Sequence, residues 1–173
     1  MMSKLSIEAT KVDARNTYAR RQTTQRFQRC DGGRVEINWT RVLLGGLLAG
    51  VIINAFEFVT NGVVLASQWE AAMKALGRSM SESALMAFTI LGFLTGITAV
   101  LLYARTRPSF GPGAKTAVLT AFVLWIIGYA LPSFSFSAMG LLPKRLLLIG
   151  TIVSLLEVIL ASIAGAWLYE GID

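Results

Sequence analysis

The chain has no histidine and a single cysteine. Without histidine, Ser-His-Asp and Cys-His catalysis, histidine-ligated haem or chlorophyll, and imidazole metal sites cannot be built from this chain alone. Cys30 is the only thiol, so no internal disulfide is available and a thiolate metal site has no second ligand. Intramembrane proteolysis would need paired aspartates, a serine with a base, or zinc with histidines, and none of these sets is present in the apolar part of the chain. No catalysis, cofactor or metal centre is therefore expected. Charge is scarce too: 15% of the 173 residues are charged against 54% hydrophobic. That balance is too apolar for an ordinary soluble domain and assigns the chain to a bilayer.

The charge that exists is unevenly placed. Residues 1–41 hold nine of the sixteen Lys and Arg against four acids. Residues 1–38 read as a basic polar arm, with Arg20, Arg21, Arg26, Arg29 and Arg34 in it and Arg41 just beyond. The arm is not a secretory signal, because the first apolar run begins only after Arg41, and Glu8 and Asp13 interrupt the pattern of an organellar transit peptide. It is either disordered at the membrane surface or ordered by a partner, with an upstream start-site artefact as the third reading. Anionic lipid headgroups and topology account for its charge without nucleic acid. Because Lys and Arg in short flanking segments stay on the cytoplasmic side, the arm predicts a cytoplasmic N-terminus.

Residues 39–173 form the second region, with four apolar spans at about 42–65, 84–104, 116–134 and 146–169, each near the roughly 20 residues that cross a bilayer. The fold class is thus all-α, a polytopic four-helix transmembrane bundle with both termini inside. Arg105, Arg107 and Lys115 without an acid mark the second connection as cytoplasmic, although Lys144 and Arg145 then lie outside. Pro108, Gly111, Pro112 and Gly113 predict an irregular turn there, and Pro132 is expected to end the third span. Trp69, Met73, Leu76 and Met80 recur at helical spacing in the first connection, which predicts a short helix on the outer surface.

Polar residues inside the spans fall on stripes. In the first, Gly46, Gly50, Asn54, Glu57 and Asn61 step by four, four, three and four; in the last, Gly150, Ser154, Glu157, Ala161 and Gly165 step by four, three, four and four. Gly92 and Gly96 add small residues in the second span. Small residues at this spacing let helices approach closely, and adjacent polar groups can then bond across the seam. A carboxylate in hydrocarbon costs a few kcal/mol, so Glu57 and Glu157 mark either packing glue or an ion path. Antiparallel neighbours would bring the two within about a turn, with Asn54, Asn61 and Ser154 as partners and at least one carboxyl protonated. With Asn oxygens the pair would suit sodium, magnesium or calcium rather than zinc or copper. The matched Gly-x-x-x-[Asn/Ser]-x-x-Glu patterns also admit an inverted repeat, as in transporters.

Arg-Val-Leu-Leu-Gly-Gly at 41–46, the Asn54 and Glu57 pair, Phe-Gly-Pro-Gly at 110–113 and Arg-Leu-Leu-Leu-Ile-Gly at 145–150 resemble a group of small four-helix bacterial integral membrane proteins. The resemblance spans about residues 39–169 and implies this architecture and a bacterial inner membrane, without a catalytic residue. The expected function is a structural or accessory subunit, self-associating or held in a larger membrane complex and surrounded by lipid. The alternative is proton- or cation-coupled transport through Glu57 and Glu157. Cys30 offers a check on orientation: a membrane-impermeant maleimide is expected to label it in inverted vesicles and to leave it unlabelled in intact spheroplasts.

Overall fold

The computed structural model describes residues 37–171, and among them there are helices and no strands. Four helices are long and apolar enough to cross a membrane: α1 (Trp39–Val64), α3 (Glu82–Phe110), α4 (Ala114–Ala138) and α5 (Lys144–Gly171). A short helix, α2 (Ala66–Ala75), lies between the first two. Large apolar side chains such as Leu47, Val51, Phe88, Leu94, Ile152 and Leu160 are exposed on the outer faces, where lipid tails would solvate them. The architecture is all-helical and compatible with a multi-pass membrane bundle. The arm, with Cys30, Arg20, Arg21, Arg26, Arg29 and Arg34, lies outside the described residues.

Local sequence sets the helix starts. The Asn38 side chain accepts from the Arg41 N–H at 3.2 Å and caps α1; Ser81 does the same for α3 through the Ala84 N–H, with Glu82 in the first turn facing the positive end of the dipole. Gly111 and Gly113 both have positive φ, at 86° and 116°, which turns the chain sharply between α3 and α4.

Glycines then set how the helices pack. α1 lies against both α3 and α5, while α3 and α5 meet each other and both touch α4. On the α1–α3 seam a Cβ built on Gly96 would lie 2.6 Å from the Gly46 carbonyl oxygen, and one on Gly46 would lie 2.6 Å from Ile97 Cα. Across α1 and α5, a Cβ on Gly45 would come within 2.6 Å of the Gly165 carbonyl oxygen. Backbones this close leave no room for a side chain, and in lipid such contact replaces the hydrophobic drive that holds soluble helices together. Pairings of Gly46 with Ile97 and Asn54 with Gly92 run α3 antiparallel to α1, and Gly45 against Gly165 together with Leu65 in one cluster with Leu146 does the same for α5.

Three expectations are corrected. Pro108 does not begin a loop, because α3 continues through it to Phe110. Contacts hold that last turn. Arg107 Nε lies 3.7 Å from Glu170 on α5, and the fully buried Tyr103 donates to the same carboxylate while accepting the Gly113 N–H at 2.9 Å. Tyr169 completes the cluster edge-on to Tyr103, 6.2 Å between ring centres. Second, Pro132 does not end α4. The helix widens over Ile126–Ala130, where the Leu131 N–H bonds back five residues to Ile126, and Pro132 then falls in the first turn of Leu131–Ala138. A proline there loses no bond that the helix needs. Third, Gly150 packs against no helix of this chain, since a Cβ on it would meet nothing within 4 Å. Its counterpart Gly50 is filled by Phe93, so the two patterned stripes are not used alike.

The seam sets an expected contrast in melting temperature measured in mild detergent. Gly96→Leu is expected to cost at least about 3 kcal/mol and to abolish most of the folded yield, whereas Gly150→Ala is expected to leave both unchanged or slightly improved.

Candidate functional site

The antiparallel seam brings Glu57 of α1 and Glu157 of α5 to the same part of the bundle, where each bears electrostatically on Tyr129 of α4. Glu157 stands near the middle of α5, about 20 Å from either end at 1.5 Å per residue. It is 2% exposed. Glu57 is half-buried and lies closer to the far end of its helix, about 10 Å from Val64. No Lys or Arg occurs in α1 after Arg41, in α3 before Arg105, in α4 after Lys115 or in α5 after Arg145. The two acids therefore have no cation of the described spans beside them at this depth.

Glu57 is held by a short relay of neutral groups. Asn61, one turn on, donates its Nδ2 to Glu57 Oε2, and Trp69 Nε1 from α2 donates to Asn61 Oδ1 at 2.9 Å. An indole N–H only donates, so the atom it meets on Asn61 must be the carbonyl oxygen, which fixes the amide's orientation. The chain leaves α-helical geometry directly after Glu57: over Phe58–Val64 it widens, and the Leu65 N–H reaches back five residues to the Thr60 carbonyl at 2.8 Å. Such wide turns recur at functional positions. The second one, Ile126–Ala130, contains Tyr129.

Glu157 is served differently. The Tyr129 hydroxyl neighbours its carboxyl, yet Oε1 of that carboxyl is buried with no hydrogen-bond partner. Buried polar atoms are nearly always paired, so an empty carboxylate oxygen within helices calls for a reason. Ser154 does not supply the missing contact. Its hydroxyl donates to the Thr151 carbonyl at 2.9 Å and accepts from Trp125 Nε1 at 3.2 Å, the same indole N–H also reaching the Thr151 carbonyl at 2.9 Å. Thr151 in turn bonds Ser133 at 2.8 Å.

The expected site residues thus separate into three groups. Glu57, Asn61 and Glu157 come together. Asn54 is turned away, donating to its own Gly50 carbonyl at 2.8 Å and filling the notch left by Gly92. Gly46, Gly50, Gly92 and Gly96 form the seam beneath, and Ser154 belongs to the α4–α5 contact. Of the basic residues, Arg41 sits half-buried in the first turn of α1 and the others lie outside the described residues. Tyr129, Trp69 and Trp125 were not expected at a site. Their signal was present for the third span, where Trp125, Tyr129 and Ser133 recur every four residues in an apolar run and so line one face.

Comparisons with protein families, curated proteins and solved structures gave no match. The site therefore rests on its own geometry. Chemically it offers two carboxyls and a phenol in a largely buried setting, groups that bind and release a proton or a small cation.

The two asparagines should respond differently to truncation. Asn61→Ala is expected to lower stability by about 1–3 kcal/mol, because Glu57 and Trp69 lose their partner together, whereas Asn54→Ala removes only a bond within one helix and should cost about 1 kcal/mol or less. Thermal unfolding of the purified variants in lipid nanodiscs measures the gap.

Proposed function

We propose that this chain is a proton- or cation-coupled membrane transporter that works through Glu57 and Glu157. The observation carrying the reading is the buried, unpartnered Oε1 of Glu157 beside a second carboxyl and a tyrosine drawn from three different spans. Polar residues kept only to glue helices together are expected to satisfy one another, and ionisable ones inside a membrane mark ion pathways by default. The basic arm and the Arg105, Arg107 and Lys115 connection support an orientation with both termini in the cytoplasm, and the resemblance to small bacterial membrane proteins supports an inner-membrane location.

The accessory-subunit reading has a narrower basis than its sequence motive. Most of the glycines that would mediate assembly, Gly45, Gly46, Gly50, Gly92, Gly96 and Gly165, are consumed within one chain. What favours it is the pair Gly128 and Gly150, beside which a Cβ would meet nothing, so that another helix, from a second copy or a larger complex, could seat there. Gentle native extraction with mass spectrometry of what stays bound decides this second reading: a stoichiometric foreign chain would favour it.

Reconstitution tests the first. Proteoliposomes are expected to move protons or cations under an imposed gradient. Glu57→Gln and Glu157→Gln should reduce that flux to the level of empty liposomes with folded yield kept, while Glu70→Gln, at an exposed position on α2, leaves it intact. Wild-type protein that is folded and silent under both pH and sodium gradients would overturn the reading.

A further inference from the structure

The site offers a metal ion few free side-chain oxygens. Hard cations take about six or more oxygen ligands. Around the pair, Asn61 Oδ1 is already used by Trp69, Ser154 Oγ by Trp125, and Asn54 presents its Nδ2 to the Gly50 carbonyl. What is left is the two carboxyls and the Tyr129 hydroxyl. A proton needs only one donor–acceptor pair and no shell.

Hydrogen-bond directions also distinguish the two acids. Because Trp69 can only donate, Asn61 is locked with its N–H toward Glu57, so Glu57 meets a fixed donor, which complements a carboxylate. Glu57 is also half-buried and tied to α2, which has the exposed Glu70 and Lys74 on it. Glu157 meets no fixed donor. Its neighbour is a tyrosine hydroxyl, which can donate to a carboxylate or accept from a carboxylic acid equally well, and its Oε1 is buried with no hydrogen-bond partner. A full charge at that depth with an empty oxygen is the costliest arrangement available to this pair, and two charges side by side would be worse. No other titratable group of the described residues faces them: α3 has none between Glu82 and Tyr103, α4 contributes Tyr129 alone between Lys115 and its end, and Tyr169 and Glu170 of α5 belong to the Tyr103 cluster at the opposite end.

We infer that the ion bound here is a single proton, carried by the Glu157 carboxyl with Glu57 as its anionic neighbour, and that Tyr129 is the positioning hydroxyl that accepts from Glu157 when the proton is on and donates to it when the proton is off. This deepens the transport reading and rests on it for its role in the cell. In the exchange the Glu157 O–H bond breaks, the proton leaves to water or an adjacent acceptor, and Tyr129 rotates its O–H toward the carboxylate. No covalent bond to the protein forms and Tyr129 stays neutral.

Infrared difference spectroscopy on the full chain in lipid nanodiscs tests the assignment without any transport assay. In near-neutral buffer the wild type is expected to show the C=O stretch of one protonated carboxylic acid, shifted by D₂O and unchanged by added sodium, potassium or magnesium ions. The band should be lost in Glu157→Gln, kept in Glu57→Gln, and moved to higher frequency in Tyr129→Phe, where the acid loses its acceptor. Absence of the band from the wild type, its removal by a metal ion, its loss in Glu57→Gln instead of Glu157→Gln, or an unmoved band in Tyr129→Phe would each overturn the inference. Should Glu157→Gln fail to fold, the cation additions to wild type and the conservative Tyr129→Phe still decide. A band that behaves as expected in a protein without flux would defeat the transport reading and leave the proton assignment standing.

Discussion

Close backbone approach along α1 is the constraint on which the rest depends. Gly46 and Gly50 let α3 in on one side and Gly45 lets α5 in on the other, with Gly96 and Gly165 completing the two seams. Only that double approach holds α1 and α5 antiparallel at a distance where Glu57 and Glu157 influence each other. A methyl group on Gly96 or Gly165 would push a helix outward, and the polar groups would then face lipid, where they have no partners. Packing and polarity are therefore not separate features of this bundle, since the first is the condition for burying the second.

Each end of the polar interior is then tied to a connection. At the near end Tyr103 joins Glu170 and the Gly113 N–H, so the α3–α4 turn and the close of α5 are fixed together. Toward the far end Trp69 brings α2 over Asn61 and through it Glu57. Between them the Trp125, Ser154 and Thr151 contact fastens α4 to α5. Among the described residues, the buried side-chain bonds are closed nearly everywhere except at Glu157 Oε1 and the Ser162 hydroxyl. Ser162 is short and can find its own helix's carbonyl by a rotation. A glutamate at mid-helix cannot, which is why the open bond at Glu157 has chemical meaning.

The two wide turns are also significant. Each adds a residue to its turn and so rotates the later part of the helix relative to the α-helical stripe. One comes directly after Glu57 and the other contains Tyr129. The second explains why Pro132 is carried inside a helix that its presence was expected to end.

The sequence by itself determined the all-helical class and the four helices long and apolar enough to cross a membrane. Hydrophobic runs, absent charges and small residues at fixed spacing report transfer cost and helical periodicity, which are local properties. It also determined Glu57, Glu157 and Asn61 as residues of interest, because an acid or amide in an apolar run is conspicuous without any neighbour. The tertiary structure alone decided who meets whom. Gly150, Ser154 and Asn54 have the same local signal as Gly50, Asn61 and Gly165, yet only packing shows that the first is open, the second is used by Trp125 and the third is folded back on Gly50. Tyr129 joined the site for the same reason: a tyrosine in an apolar span is unremarkable until a wide turn and an antiparallel neighbour put its hydroxyl beside a buried carboxyl. Periodicity fixes which face a residue is on, while hydrogen-bond partners depend on how faces of different helices are brought into register.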